Sequence, residues 1–128
     1  MDKNNELKNG INTTEPMKDK GGEIYVLLSP IRTQNESMIM GYAMTPVGEN
    51  VKKHRHPESE ECFFVISGEG EVILENDVCI NFKQNDAVRI PKNVEHMIKN
   101  TGEKELKVVF AAAPLASAMK LGHVNGGK

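Results

Sequence analysis

Short strand-like runs separated by turn signals are the feature that most limits the folds open to this chain. The runs cover residues 23–28, 37–45, 62–67, 71–75, 78–82, 87–90, 94–100 and 106–112. Turn-forming residues lie between them, as in segments 67–70, 84–86 and 101–102. No segment shows the strong apolar period of an amphipathic helix. Strands of this length and spacing predict an all-β domain, either an antiparallel sandwich or a barrel.

The length and charge of the chain restrict its organisation and its partners. Its 128 residues suffice for one domain with a single core. We expect a flexible polar arm over 1–22, a barrel over 23–114, and a tail over 115–128 with room for one short helical turn. The net charge of −2 predicts no bulk attraction to nucleic acid or to an acidic membrane. Neither a membrane-spanning apolar run nor the apolar core of a secretory signal is present, which favours a cytoplasmic protein.

The two cysteines carry no pairing motif. Cys62 and Cys79 both lie in apolar strand runs. Buried free thiols in a reducing cytoplasm are therefore the favoured interpretation. A disulfide between neighbouring strands is the alternative.

Three of the four histidines and one glutamate form the pattern that bears most on function. His54 and His56 are two residues apart, so on a strand both would face the same side. Glu61 opens an apolar strand, and a carboxylate on its inward face is costly unless it is paired. His96 lies on the inward face of a later run by the same alternation. Three imidazoles and a carboxylate suit zinc, iron, manganese or nickel, so a divalent transition metal is the predicted cofactor.

The segments that carry these residues resemble the two motifs of the cupin superfamily. The first motif is Gly, five residues, His-x-His, three or four residues, Glu, six residues and Gly, and it matches 48–68 without a gap. The second is Gly, five residues, Pro-x-Gly, two residues, His, three residues and Asn, and it matches 85–100 in length. Asn85 and Asn93 stand where the family has glycine, and asparagine is the other residue that best tolerates positive φ.

This resemblance implies a fold and a set of ligands. The fold is an RmlC-like jelly-roll β-barrel of antiparallel strands. The implied metal ligands are His54, His56, Glu61 and His96. Glu61 is preferred to Glu60 because only Glu61 precedes Gly68 by six intervening residues. Asn100 is expected to cap a turn, outside the ligand set.

A narrower resemblance concerns segments 21–30, 56–61 and 121–124. They look like parts of small cupins found beside aromatic polyketide synthases, a group that includes cyclases of tetracenomycin and resistomycin assembly. The resemblance implies a metal-dependent polyketide cyclase or a helper of one. His123, in the last segment, is expected to be solvated unless the tail folds over the barrel and touches substrate.

A cyclase of this kind needs an activated carbonyl, a base and an apolar pocket. An open metal position would polarise a carbonyl oxygen of a small-molecule substrate. Metal-bound water is the first candidate for the base, and Tyr25 or Tyr42 are candidates to assist it. The candidate pocket walls are Met38, Met40, Tyr42, Phe63, Val65, Ile98 and Phe110.

Two other function classes use the same barrel, because fold alone does not decide chemistry. One is a metal-dependent dioxygenase that uses iron or manganese and binds oxygen in an open position. The other is a non-catalytic module that binds a small molecule, with or without metal. In each case we expect a homodimer, since small β-barrels often pair through edge strands.

Overall fold

The described part of the chain forms nine antiparallel strands arranged in two sheets. The computed structural model describes residues 7–117. The strands are β1 Glu23–Leu28, β2 Ile39–Thr45, β3 Asn50–His54, β4 Glu60–Ser67, β5 Glu69–Leu74, β6 Cys79–Lys83, β7 Ala87–Ile90, β8 His96–Asn100 and β9 Leu106–Ala113. One sheet has the order β1-β2-β9-β4-β7 and the other β3-β8-β5-β6. This confirms the predicted antiparallel all-β fold.

Helical structure is slight in the described residues. Its complete elements are helix α1, Pro30–Thr33, and two 3-10 turns, Ile11–Thr13 and Glu75–Asp77, and Ser117 at the end of the described range is also helical. Within residues 7–117 no helix has the length and apolar character needed to cross a membrane.

The predicted strand runs match the observed strands closely, with one omission. β1 and β7 coincide with predicted runs, and six other strands differ from theirs by one or two residues at one or both ends. β3 is absent from the predicted runs. It is an edge strand of polar sequence that buries a single residue, Val51, so its apolar pattern is too weak to detect.

The core lies between the sheets, where alternate side chains from each strand meet. Val65 and Val72 are completely buried, one from each sheet. Gly41 in β2 is the cross-strand partner of Phe110, and a Cβ there would lie 2.3 Å from the Tyr25 carbonyl oxygen and 2.5 Å from the Phe110 ring. A glycine is therefore required at this position for the sheet to keep its packing.

The described part of the N-terminal segment packs on the barrel, in contrast to the flexible arm expected over 1–22. Met17 and Ile24 exchange two backbone hydrogen bonds of 2.8 and 2.9 Å. The Lys20 carbonyl oxygen accepts a hydrogen bond of 2.8 Å from the Lys52 N–H in β3. Thr14 is buried. We call residues 17–22 the N-terminal strap, since they connect β1 to the edge strand of the other sheet.

The cysteine prediction is half correct. Cys62 and Cys79 are free, but both are exposed. Cys62 alternates with inward-facing residues of β4 and so lies on the outer face of the sheet beside Phe64 and Ile66, which are also exposed. We call these three residues the outer β4 face. The sequence predicts a buried Cys62 because β4 is apolar on its outward face as well as on its inward face.

The expected tail over 115–128 is described only at its start. Leu115 is buried in a small cluster with Ile39 and Ala112. His123 and most of the tail in which a short helical turn was expected lie beyond residue 117, outside the described residues.

Candidate metal centre

The four residues singled out in the sequence come together from both sheets. His54 ends β3 and His96 begins β8, and the two are cross-strand partners. Glu61 is the second residue of β4 in the opposite sheet. His56 lies two residues beyond the end of β3, so it reaches the cluster from the following loop and not from the strand expected to hold both histidines.

The spacing of the ligand atoms suits a single ion. One nitrogen or oxygen atom from each of the four residues lies within 4.8 Å of the others. Glu61 Oε1 is 2.9 Å from His56 Nε2 and 3.5 Å from His96 Nε2. Metal–ligand bonds of about 2.1 Å place trans ligand atoms of an octahedral ion about 4.2 Å apart and ligand atoms of a tetrahedral ion about 3.4 Å apart, so the four atoms are close to the spacing that an ion requires.

Backbone carbonyl groups orient two of the imidazoles. His54 Nδ1 lies 2.6 Å from the Lys52 carbonyl oxygen, and His96 Nδ1 lies 2.9 Å from that of Val94. With Nδ1–H donating to each carbonyl, Nε2 presents its lone pair to the cluster. This is the arrangement by which histidine ligands are held in the tautomer that a metal requires.

The polar atoms left without partners also indicate an ion site. Among the described residues, three buried side-chain atoms make no hydrogen bond: His56 Nδ1, Glu61 Oε1 and His96 Nε2. The 2.9 Å approach of His56 Nε2 to Glu61 Oε1 is a close polar contact that is not aligned as a hydrogen bond. Buried polar atoms rarely remain unpaired in proteins. All three belong to the cluster, and an ion would pair directly with Glu61 Oε1 and His96 Nε2.

The electrostatics favour the protonation states that metal ligands need at Glu61 and His54, whereas they favour the protonated form of His96. Burial raises the pKa of Glu61, but the contacts with His56 and His96 outweigh burial and lower this pKa to about 2. Burial lowers the pKa of His54. Burial also acts to lower the pKa of His96, but its contact with the Glu61 carboxylate gives a net increase. Near neutral pH the cluster therefore offers an ionised carboxylate and a neutral His54, as metal binding requires.

An apolar cavity adjoins this cluster. His54, His56 and Glu61 form part of its wall, and the remaining lining is aliphatic or aromatic apart from Lys20 and Thr45. Its volume is about 80 Å³. Because one enclosed water needs roughly 10–15 Å³ of such space, the cavity has room for several waters or one slim organic group. It does not hold a set of fused rings.

The predicted pocket walls are partly correct. Phe63, Ile98 and Phe110 line the cavity, whereas Met38, Met40, Tyr42 and Val65 do not. In β2 the inward residues are Ile39 and Ala43, so the predicted register of this strand was wrong by one residue. Val65 is buried in the core, away from the cavity wall. Lining residues from the N-terminal strap, Met17 and Lys20, were missed because the segment carries no strand signal.

The structure does not bring the two tyrosine candidates to the cluster. Tyr25 and Tyr42 are cross-strand partners whose ring centroids lie 5.9 Å apart, and neither lines the cavity. The Tyr25 hydroxyl donates to Glu23 Oε1 over 2.9 Å, and this bond is the main reason that the Tyr25 pKa is raised. Burial raises the pKa of Tyr42. Neither group is placed to exchange a proton with a substrate in the cavity.

Two residues expected to stay outside the ligand set do so. Asn100 Nδ2 donates to the carbonyl oxygens of Thr45 and Lys104, each over 2.9 Å, and Asn100 Oδ1 accepts from the Gly102 N–H. It therefore holds the turn after β8, as predicted. Glu60 faces solvent and pairs with Arg89 at 2.8 Å.

Comparisons with known proteins agree with this fold. The cupin domain family matches residues 41–112. The chain is 34% identical over 125 residues to polyketide synthase CurC of Streptomyces cyaneus, covering 98% of this chain and 80% of that protein. It is 30% identical over 118 residues to the tetracenomycin polyketide synthase protein TcmJ of Streptomyces glaucescens, covering 92% of this chain and 78% of that protein.

Two solved structures support the fold. The predicted oxalate decarboxylase from Thermotoga maritima has a TM-score of 0.70 and 24% identity, with coverage of 84% of this chain and 98% of that chain. A solved RmlC-like cupin from Methanocaldococcus jannaschii has a TM-score of 0.63 and 25% identity, with coverage of 80% of this chain and 89% of that chain. These two structures confirm the RmlC-like fold. The curated relatives CurC and TcmJ confirm the sequence resemblance to cupins found beside polyketide synthases. The family match spans more than half of the sequence, and the chain belongs to the cupin family.

Proposed function

We propose that this protein is a metal-dependent enzyme that promotes ring closure in a polyketide-type carbonyl compound. The observation that carries the proposal is a cluster of three histidines and one glutamate set into the wall of an apolar cavity. The similarity to polyketide synthase CurC and to the tetracenomycin polyketide synthase protein TcmJ supports a polyketide pathway. A divalent zinc, iron, manganese or nickel ion held by His54, His56, Glu61 and His96 would polarise a carbonyl and acidify the adjacent carbon.

The protein's own residues would position the reacting group and exclude water. Phe63, Ile98 and Phe110 supply apolar walls from three strands, so a slim keto segment could enter while the rest of a larger substrate stays outside. Tyr25 and Tyr42 lie outside the cavity, and we assign no proton transfer to them.

The apolar wall bears on the alternative functions. Beyond the candidate metal ligands, a small dianion such as oxalate would meet Lys20, Thr45 and otherwise apolar side chains, and this lining stabilises a carbonyl compound better than a doubly charged acid. A dioxygenase acting on an apolar substrate fits the same wall. Metal identity and oxygen uptake distinguish it from a cyclase.

Elemental analysis tests the metal centre directly. We expect stoichiometric metal in protein purified without a nickel column, loss of that metal in His56→Ala, and retention in the neighbouring Glu60→Gln. Zinc would favour cyclase chemistry, and iron or manganese with oxygen uptake would favour the dioxygenase. Protein without metal after reconstitution would contradict both enzymes and favour a binding module. An unchanged product profile from an aromatic polyketide intermediate would contradict the cyclase.

We further propose that the chain acts as a homodimer in the cytoplasm. The outer β4 face supports self-association, since Phe64 and Ile66 are 43% and 41% exposed on an internal strand. This favours contact through a sheet face over the edge-strand pairing expected from the sequence. Two free, exposed thiols are consistent with a reducing compartment.

A further inference from the structure

Lys20 is an unexpected member of the cavity wall. Within residues 7–117 it is the one lysine or arginine that lines the cavity, and it is half-buried. The ion pairs found in the described residues do not include Lys20. A positively charged group beside apolar walls is stabilised by an anion that shares those surroundings.

Hydrogen bonds connect the backbone of Lys20 to His54, one of the candidate metal ligands. Its carbonyl oxygen accepts a hydrogen bond from the Lys52 N–H over 2.8 Å. The carbonyl oxygen of the same Lys52 lies 2.6 Å from His54 Nδ1. One residue therefore joins the N-terminal strap to a candidate metal ligand.

Two glycines fix the N-terminal strap against both sheets. Gly21 and Gly22 have φ of +103° and +67°, which side-chain-bearing residues rarely adopt. A Cβ on Gly21 would lie 2.0 Å from the Asn50 carbonyl oxygen in β3, and one on Gly22 would lie 2.3 Å from that of Met44 in β2. The backbone next to Lys20 therefore packs tightly against one strand of each sheet, which gives the lysine backbone a defined position.

We propose that Lys20 is a specificity-determining residue that binds an anionic group of the substrate, either a carboxylate or a phosphate. The substrate class is then an amphipathic carbonyl compound, with an apolar segment in the cavity and a negative charge at the N-terminal strap. The long aliphatic part of lysine can pack on the apolar wall while its ammonium group reaches the anion. The inference deepens the proposed function and rests on it for the reaction, but not for the binding.

Calorimetric binding of three short probes tests this role. The probes are hexanoate, neutral hexanamide and hexyl phosphate, added to the protein as purified, with its metal content measured. Because a hydrogen bond to a charged group is involved, we expect an anionic probe to bind about tenfold more tightly than hexanamide. Lys20→Met should abolish that preference and Lys20→Arg should retain it. The matched control Lys18→Met, at an exposed lysine that pairs with Glu23, should also retain it.

The two anionic probes distinguish the sources of the charge. A larger preference for hexyl phosphate identifies a phosphate ester, and a larger preference for hexanoate identifies a carboxylate; both support the proposal. Wild-type protein without an anion preference would overturn it. So would a preference that survives in Lys20→Met while disappearing in His56→Ala, because the anion would then bind at the metal cluster. Protein that lacks metal but shows the Lys20-dependent preference would refute the proposed enzyme and leave this inference standing.

Discussion

The titration of Glu61 offers a quantitative test of the cluster in metal-free protein. Its pKa falls from 4.5 to about 2, because His56 and His96 outweigh the effect of burial. A carboxyl group with a lowered pKa in the folded state stabilises the fold above the unfolded pKa, and that stability is lost as the pH falls through the folded pKa. The whole shift corresponds to roughly 3 kcal/mol, of which about 2 kcal/mol should disappear between about pH 5.5 and pH 3.

Urea unfolding of metal-free protein at these two pH values measures the effect. Glu61→Gln keeps the shape of the side chain but cannot ionise, so the difference in unfolding free energy between wild type and variant should shrink by about 2 kcal/mol at the lower pH. Glu60→Gln is the matched control, because Glu60 is exposed and its ion pair with Arg89 is solvated. An equal difference at both pH values would refute the pairing of an ionised Glu61 with the histidines.

Three further substitutions test packing, the turn after β8 and assembly. Gly41→Ala should lower the unfolding free energy by about 1–3 kcal/mol through overpacking, whereas Gly10→Ala, which points into open space, should not; equal urea midpoints would contradict this. Asn100→Ala should cost about 2 kcal/mol in thermal denaturation, because three hydrogen bonds end on that side chain; an unchanged midpoint would show that they contribute nothing. Phe64→Ser should yield monomer in sedimentation equilibrium and the exposed control Ile31→Ser should not; a persistent dimer would exclude the outer β4 face.

The candidate metal cluster is the part of the structure that the sequence predicted best. Alternation in β4 correctly placed Glu61 inward and Glu60 outward, since one position in a strand changes the face. Strand alternation and motif spacing together predicted that His54 and His96, which are 42 positions apart in the sequence, contribute to one site. Fixed spacings succeed here because each ligand lies in or beside a strand whose neighbours are set by the barrel.

The cavity wall was harder to predict for two physical reasons. β2 is apolar on both faces, with Met40 outward and Ile39 inward, so its register could not be read from hydropathy. The N-terminal strap is polar, and its position depends on backbone hydrogen bonds to distant strands, which leave no periodic signal in the sequence. The local sequence therefore does not predict that Lys20 lines the cavity.

The division of the candidate ligands between the two sheets has a consequence for turnover of the protein in the cell. His54 and His96 belong to one sheet and Glu61 to the other, so an ion bound to all of them would act as a non-covalent cross-link across the barrel. Ligands that bind only the folded state increase its stability by mass action. Chains made under metal limitation would unfold more often and be degraded faster. The abundance of the protein should therefore follow the metal supply.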